Sequence, residues 1–268
     1  MAYLIFLLAA GVFALLGSAG PLHRDGWFEA LNRRLNALAL EQWISTALSM
    51  LVPLVAVFLV HAILSMFLGA LADFLIGIAV LYFAFGRGDF PTDLERFLAR
   101  AREGDEAGAC ALLGDTSEQV HSDTNFAALH AFTYRGYERW FPPVFYFMTL
   151  GPFGAGLYRL ARLSCLHYPE TAGQVVRVLD WLPARFLLLT FALLGDFDRS
   201  RALFVDEAID VTVDDRTLLA LGIERAWRLD GSSDASEHSL AEVGEAMHKA
   251  LQRSAVVWLI VLSLAALF

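Results

Sequence analysis

The residues best suited to chemistry are a tyrosine and two arginines near the middle of the chain. Tyr158, Arg159 and Arg162 follow the segment GPFGAG, and their spacing of three and four residues places them on one helical face. Guanidinium groups bind carboxylates and phosphates through several donors. The pattern predicts an anion site, and snorkelling of the arginines towards lipid head groups is the structural alternative.

A second polar element, DWLPAR, occupies residues 180–185. Asp180 and Arg185 flank Pro183 immediately before the apolar run 186–194. The two charged groups either pair with each other and hold the local structure, or they form half of an anion site.

The sequence that must position these elements is too apolar for an ordinary soluble protein. Of its 268 residues, 57% are hydrophobic and 18% are charged, whereas soluble domains carry about 25% charged residues. Asp73 is the only acidic or basic residue apart from His61 in 44–86. That run is too long for a single crossing of a hydrocarbon core about 30 Å thick. We therefore predict two spans, about 44–66 and 69–86, joined near Gly69.

Two further spans are predicted at the ends, at about 1–17 and 254–268. The first lacks the basic start of a signal peptide, and the second is short but continues a helical pattern. Between them, 141–197 contains Pro142, Pro143, Gly151 and Pro152. Irregular backbone at membrane depth must be buried in protein or line a wet cavity. The segment therefore predicts a broken, re-entrant hairpin.

The complete pattern predicts an all-α fold, a single polytopic helical membrane domain with about four full transmembrane helices. The polar segments 87–140 and 198–253 are predicted cytoplasmic arms with amphipathic helices. Thr92 with Glu95, and Ser239 with Glu242, have the spacing of capping boxes. The arginines of the loops place these arms in the cytoplasm and both termini in the periplasm.

The remaining features restrict the function classes. A net charge of −9 argues against nucleic-acid binding. Cys110 and Cys165 do not form a C-x-x-C motif and are predicted free thiols. The histidines outside the spans lack metal-ligand spacing and are interpreted as surface groups. Asp73 and His61 are functional candidates because ionisable residues within a membrane are costly, with an interfacial or hydrogen-bonded structural role as the alternative.

Several motifs in order carry a family resemblance. PVFY at 143–146, GPFGAGLYR at 151–159 and DWLPAR at 180–185 follow RDGWF at 24–28. This tandem resembles the superfamily that joins the cobalamin-pathway synthases CbiB/CobD with the AmpE proteins. The synthase segments are altered here, since Tyr134–Arg139 retains an acid only at Glu138 and the R-D-T element is reduced to Gly114-Asp115-Thr116. The chain is therefore more similar to AmpE.

The resemblance implies an inner-membrane protein of bacteria that is linked to β-lactamase induction, antibiotic resistance and peptidoglycan recycling, alongside the amidase AmpD. The synthase branch would imply ATP and Mg²⁺ as cofactors for amide formation, and the broken helices leave an anionic-metabolite transporter as a further alternative. We expect a signal-transducing membrane protein with a cytoplasm-facing pocket for a nucleotide or muropeptide. The expected site residues are Tyr158, Arg159, Arg185, Glu138, Asp115 and Asp180.

Overall fold

A computed structural model describes residues 2–16, 24–86, 88, 90–112, 124–208, 210, 213–229 and 238–265. The regular structure of these residues is helical, which confirms the predicted all-α class. In chain order the helices are α1 (Ala2–Leu16), α2 (Gly26–Ala37), α3 (Gln42–Leu68), α4 (Ala70–Ala84), α5 (Phe90–Arg102), α6 (Glu106–Cys110), α7 (Thr124–Ser164), α8 (Pro169–Leu194), α9 (Phe197–Asp206), α10 (Asp215–Ala226) and α11 (Leu240–Ala265).

Helices α3 and α4 form the predicted apolar pair. Gly69 joins them with a φ of 54°, a conformation that glycine adopts without a Cβ clash. Across this turn, Nε2 of His61 lies 2.6 Å from Oδ1 of Asp73. The turn thus brings together two side chains that were separate candidates in the sequence.

Within the described ranges, α3 is the helix that is long and apolar enough to cross a membrane, whereas α1 and α4 are apolar but shorter. From Leu54 to its end, no residue of α3 is buried inside the protein. Such an apolar exposed surface is typical of a helix that contacts lipid. The other crossings of the predicted polytopic arrangement stay predictions.

Helix α7 is interrupted at Gly151, as the glycines and prolines predicted, but not at the preceding proline pair. Gly151 has φ 69° and ψ −161°, a region that is essentially restricted to glycine. The helix continues through Pro142 and Pro143. Both prolines are buried, and packing of their neighbours outweighs the cost of about 3 kcal/mol that proline has in a helix interior. The result is two helical segments, 124–150 and 152–164.

Local signals at the other helix ends were partly correct. Ser239 and Glu242 form the predicted capping box, with the Ser239 amide 2.9 Å from a Glu242 carboxylate oxygen and the Glu242 amide 3.3 Å from the Ser239 hydroxyl. Helix α11 then continues to Ala265. The helix start predicted from the capping-box spacing of Thr92 and Glu95 was wrong, because α5 already begins at Phe90.

Contacts divide the chain into two compact units. The first contains residues 1–88, 139–180 and 265–268, and the second contains residues 89–138 and 181–264. Phe28, Met50, Leu160 and Tyr168 belong to a core cluster of the first unit. Leu188, Leu203, Ala208 and Leu218 form a cluster of the second. Helices α7 and α8 contribute residues to each unit.

Candidate functional site

Tyr158 is held by the helical segment that follows the break at Gly151. Its ring is buried, and its hydroxyl donates a hydrogen bond of 2.9 Å to Oδ1 of Asp180, which is itself 1% exposed. Hydrogen bonds to a carboxylate are stronger than those between neutral groups. This bond therefore fixes α7 to α8 inside the first unit, and it joins two of the residues that the sequence analysis selected.

A second tyrosine supports this contact. The ring of Tyr146 stacks on that of Tyr158, with centroids 6.0 Å apart and planes inclined by 22°. The Tyr146 hydroxyl donates to the main-chain oxygen of Leu179 over 2.7 Å. Because Leu179 precedes Asp180, the two tyrosines hold adjacent points of α8.

Arg159 lies next to Tyr158 but faces a different carboxylate. Its Nη2 is 3.9 Å from Oδ2 of Asp25, and the two side chains are 11% and 26% exposed. This separation makes an ion pair without a direct hydrogen bond between those two atoms. The main-chain oxygen of Asp25 also accepts hydrogen bonds from the main-chain amides of Phe28 and Glu29, at 2.9 and 3.1 Å. The ion pair therefore connects α7 with the first turn of α2.

A row of hydroxyl contacts fixes the helices around this pair. The Ser49 and Ser164 hydroxyls are 2.8 Å apart, and those of Thr46 and Thr171 are 2.5 Å apart. Pairing of this kind satisfies polar atoms that water does not reach. Because α3 is thereby held against α7 and α8, the positions of Tyr158 and Arg159 are set by packing rather than by a loop.

Arg185 belongs to the second unit and has a dense set of partners there. Its guanidinium donates to the Asp215 carboxylate and to the main-chain oxygens of Trp181, Ala208 and Asp210. It also lies 4.9 Å from the centre of the Trp181 ring. The side chains of Arg185 and Asp215 are 11% and 7% exposed. These contacts give Arg185 the character of an internal clamp that fixes Ala208, Asp210 and Asp215 to α8.

The two remaining expected site residues are Glu138 and Asp115. Glu138 is half-buried on α7 and belongs to the second unit. Asp115 lies outside the described residues. The structure therefore brings Tyr158 and Asp180 into direct contact, places Arg159 in the same unit, and assigns Arg185 and Glu138 to the other unit.

The second unit also contains a histidine–carboxylate pair that the sequence analysis missed. His130 was interpreted as a surface group, but its side chain is 14% exposed and its Nε2 lies 3.8 Å from Oδ2 of Asp214. Interaction with the His130 side chain, helped by the nearby charge of Arg216, holds the pKa of Asp214 below its usual value. The surface interpretation of His130 was wrong because α7 turns this face towards the protein.

The thiol prediction was correct, since Cys110 and Cys165 are both free. Burial and the nearby Glu106 raise the pKa of the Cys110 thiol. A raised thiol pKa lowers the fraction of reactive thiolate at neutral pH.

The carboxylates near Tyr158 offer little to the magnesium nucleotide that the synthase resemblance implied. Asp25 faces Arg159 and Asp180 accepts from Tyr158, so these carboxylates already have cationic or donor partners. In the described ranges, no group of three or more His, Cys, Asp or Glu side chains is placed to share a metal ion. A magnesium nucleotide normally requires carboxylates together with phosphate oxygens.

Two carboxylates that pair with the predicted arginines, Asp25 and Asp215, were not among the expected site residues. Asp25 stands in the RDGWF segment, whose resemblance to relatives was the available signal. Asp215 follows Asp214 at the start of α10, a position where an acid is expected merely to favour the helix dipole. Both pairs join residues far apart in the chain, so spacing could not reveal them.

Comparison with known proteins gives a family match over nearly the whole chain. The family described as "AmpE: Regulatory signalling modulator protein AmpE" matches residues 1–265. The "Cobalamin biosynthesis protein CobD" of Chromobacterium violaceum is 30% identical over 140 residues, which cover 47% of this chain and 45% of that protein. The chain thus spans less than half of the length of this curated relative. No solved structure matches the chain.

Proposed function

Because this chain belongs to the AmpE family of regulatory signalling modulator proteins, we propose that it is an inner-membrane regulator of β-lactamase induction and cell-wall recycling. Its input is an anionic ligand, a nucleotide or a muropeptide, at the cytoplasmic membrane face. The output passes through its helical arms to a partner such as the amidase AmpD. The apolar, exposed surface of α3 supports the membrane location.

The observation that carries the ligand proposal is the ion pair between Arg159 and Asp25. A mostly buried guanidinium needs an anionic partner, and a ligand phosphate or carboxylate is chemically equivalent to the Asp25 carboxylate. A ligand that binds Arg159 therefore competes with Asp25. Because the main-chain oxygen of Asp25 also starts α2, release of its side chain from Arg159 would free that end of the helix from α7.

Tyr158 and Asp180 have a positioning role in this proposal. Their buried hydrogen bond holds the α7 segment that carries Arg159, and the ligand does not need to break it. Arg185 acts in the second unit as the clamp on Asp215, so its contribution is to stability. A regulator of this design needs two arrangements that the ligand binds with different affinity. In one arrangement Arg159 pairs with Asp25, and in the other it pairs with the ligand.

The test compares two arginine substitutions in cells that lack the native protein. Arg159→Gln removes the proposed ligand contact, and Arg177→Gln is the matched control because Arg177 is exposed on α8 in the same unit. We expect the first variant to alter β-lactamase induction and the control to behave as wild type. Membrane abundance of both variants is measured by immunoblot. Normal induction by an abundant Arg159→Gln variant would refute the ligand role of Arg159.

A second candidate function, an ATP- and Mg²⁺-dependent synthase, is favoured by the partial match to the CobD protein. It requires oxygen ligands from Asp115 and Glu138, since the carboxylates near Tyr158 are already engaged. This candidate predicts metal-dependent ATP turnover by the purified chain that Asp115→Asn or Glu138→Gln abolishes. Turnover that is absent with and without Mg²⁺ would exclude it.

A further inference from the structure

An apolar groove lies on the first unit, between α2, α3, α4 and the 152–164 segment of α7. Its volume is about 360 Å³, and its lining includes Trp27, Pro53, Val57, Val80, Phe83 and Phe153. None of the residues that line it is charged. A groove of this composition suits a hydrocarbon chain and offers nothing to an ionic ligand.

The helix-breaking residues of the sequence explain why the groove is open. Pro53 lies in α3 at its wall, and Pro152 begins the α7 segment after the break at Gly151. Gly156 adds space, because a Cβ atom there would lie 3.4 Å from Val80 Cγ1 and 3.5 Å from Leu54 Cδ2. The break in α7 and the missing side chain at Gly156 thus leave space between helices at this wall.

Aromatic side chains define the two ends of the groove. At one end, the rings of Trp27 and Phe83 are 6.2 Å apart. At the other, Phe153 packs against Phe58 with centroids 5.8 Å apart. Trp27 is half-exposed, and exposed tryptophans are enriched at the boundary between lipid and water. The exposed tryptophan makes the Trp27 end suitable as an entrance from the membrane surface.

A smaller cavity of about 250 Å³ is linked to the groove by the rings of Trp27 and Phe28, whose centroids are 5.5 Å apart. Phe28, the neighbour of Trp27, lines it together with Arg33, Glu29, His167 and Asp25. Asp25 faces Arg159, which leaves the exposed Arg33 as a cation for a phosphate and Glu29 as an acceptor for hydroxyl groups. Residues 24–34 carry three exposed arginines, Arg24, Arg33 and Arg34, and two acids, Asp25 and Glu29, so this part of the chain has a net positive charge.

We propose that the two cavities together bind one phosphatidylglycerol-type membrane lipid. One acyl chain fills the apolar groove, the phosphate contacts Arg33, and the glycerol hydroxyls donate to Glu29. The groove has room for about a dozen methylene-sized groups at roughly 30 Å³ each, the share of liquid volume that a water molecule takes. Because α3 is apolar and exposed, we expect the acyl chain to enter the groove from the bilayer.

The head group, and not the acyl chain, must supply the selectivity. An acyl chain that moves from bilayer to groove gains no hydrophobic free energy, because lipid tails are as apolar as the groove. A cation near an anionic lipid surface contributes about 1 kcal/mol, which corresponds to roughly a fivefold preference for the anionic lipid. An unselective groove would take phosphatidylcholine equally well.

The experiment uses the full chain in nanodiscs that contain phosphatidylglycerol and phosphatidylcholine in equal amounts. Either lipid carries a photoactivatable diazirine on its acyl chain, and mass spectrometry locates the cross-links. We expect the phosphatidylglycerol probe to label groove residues roughly five times more strongly than the phosphatidylcholine probe. Arg33→Gln should reduce its labelling to the phosphatidylcholine level, whereas the control Arg177→Gln should not.

Two matched substitutions test the groove itself. Val57→Phe fills it, whereas Val55→Phe adds the same ring to an exposed position of α3 outside its lining. We expect Val57→Phe to abolish groove labelling and Val55→Phe to preserve it, with both variants melting close to wild type. The proposal would be overturned if the two lipids label the groove equally or if labelling survives Val57→Phe. It would also be overturned if polyprenyl phosphate displaces the probe at a lower concentration than phosphatidylglycerol does.

This lipid site does not use Arg159, so its failure would leave the proposed ligand function intact. Conversely, normal β-lactamase induction by Arg159→Gln would refute the ligand role of Arg159 without affecting the cross-linking result.

Discussion

Replacing Asp25 with asparagine distinguishes a ligand site from a purely structural ion pair. If an anionic ligand competes with Asp25 for Arg159, Asp25→Asn removes the competitor and raises the affinity for the ligand. If the pair only holds α2 against α7, the same change loosens the structure and lowers the affinity. The two interpretations therefore predict opposite signs.

The size of the effect follows from the geometry. At 3.9 Å, two unit charges attract by about 4 kcal/mol at an effective dielectric constant of about 20. Desolvation of the guanidinium and water at the partly exposed Asp25 reduce this value. A net contribution on the order of 1–2 kcal/mol remains, which corresponds to a factor of about 5–30 in affinity.

The assay is calorimetric titration of the purified chain in nanodiscs with ATP and with a muropeptide. Wild type, Asp25→Asn, Arg159→Gln and Arg177→Gln are compared at low and high salt. We expect tighter binding for the first variant, weaker binding for the second and no change for the third. A folded Asp25→Asn variant that binds both probes more weakly than wild type would refute the competition mechanism.

Three further outcomes test the structural assignments by thermal or urea unfolding. Arg185→Gln should destabilise the protein by about 3–5 kcal/mol, because it leaves the buried Asp215 carboxylate without its guanidinium; equal stability of wild type and variant would contradict the clamp. Gly151→Ala should cost about 1–3 kcal/mol through its backbone conformation, whereas Gly173→Ala, in an open helical position, should stabilise by up to ~1 kcal/mol. The hydrogen bond from Arg228 lowers the pKa of Asp196, so its stabilisation is present at neutral pH and is lost as the pH falls below about 4; the melting temperature of Asp196→Asn should depend less on pH there.

Local features of the fold were predictable, because few nearby residues determine them. The turn at Gly69 follows from one glycine within an apolar run that is too long for a single crossing. The capping box of Ser239 and Glu242 depends on side chains three residues apart. Continuation of α7 through Pro142 and Pro143 was not predictable from local preference, because burial of that segment outweighs the preference of proline.

The site was predicted in its residues but not in its pairings. Tyr158 and Asp180 could be chosen because each stands in a conspicuous motif, yet their hydrogen bond depends on how α7 packs against α8. The partners of the arginines were less accessible, since Asp25 precedes Arg159 by more than a hundred residues. An arginine motif in sequence indicates that an anion is needed. It does not indicate whether the protein or a ligand supplies that anion.

The hydrogen bond between His61 and Asp73 has a consequence for how the chain enters the membrane. A carboxylate is costly to bury in lipid by itself, and α4, with 15 residues, is short for an independent crossing. The hydrogen bond to the imidazole across Gly69 gives the carboxylate a partner on the neighbouring helix. Helices α3 and α4 should therefore leave the translocation machinery together, as one preassembled insertion unit.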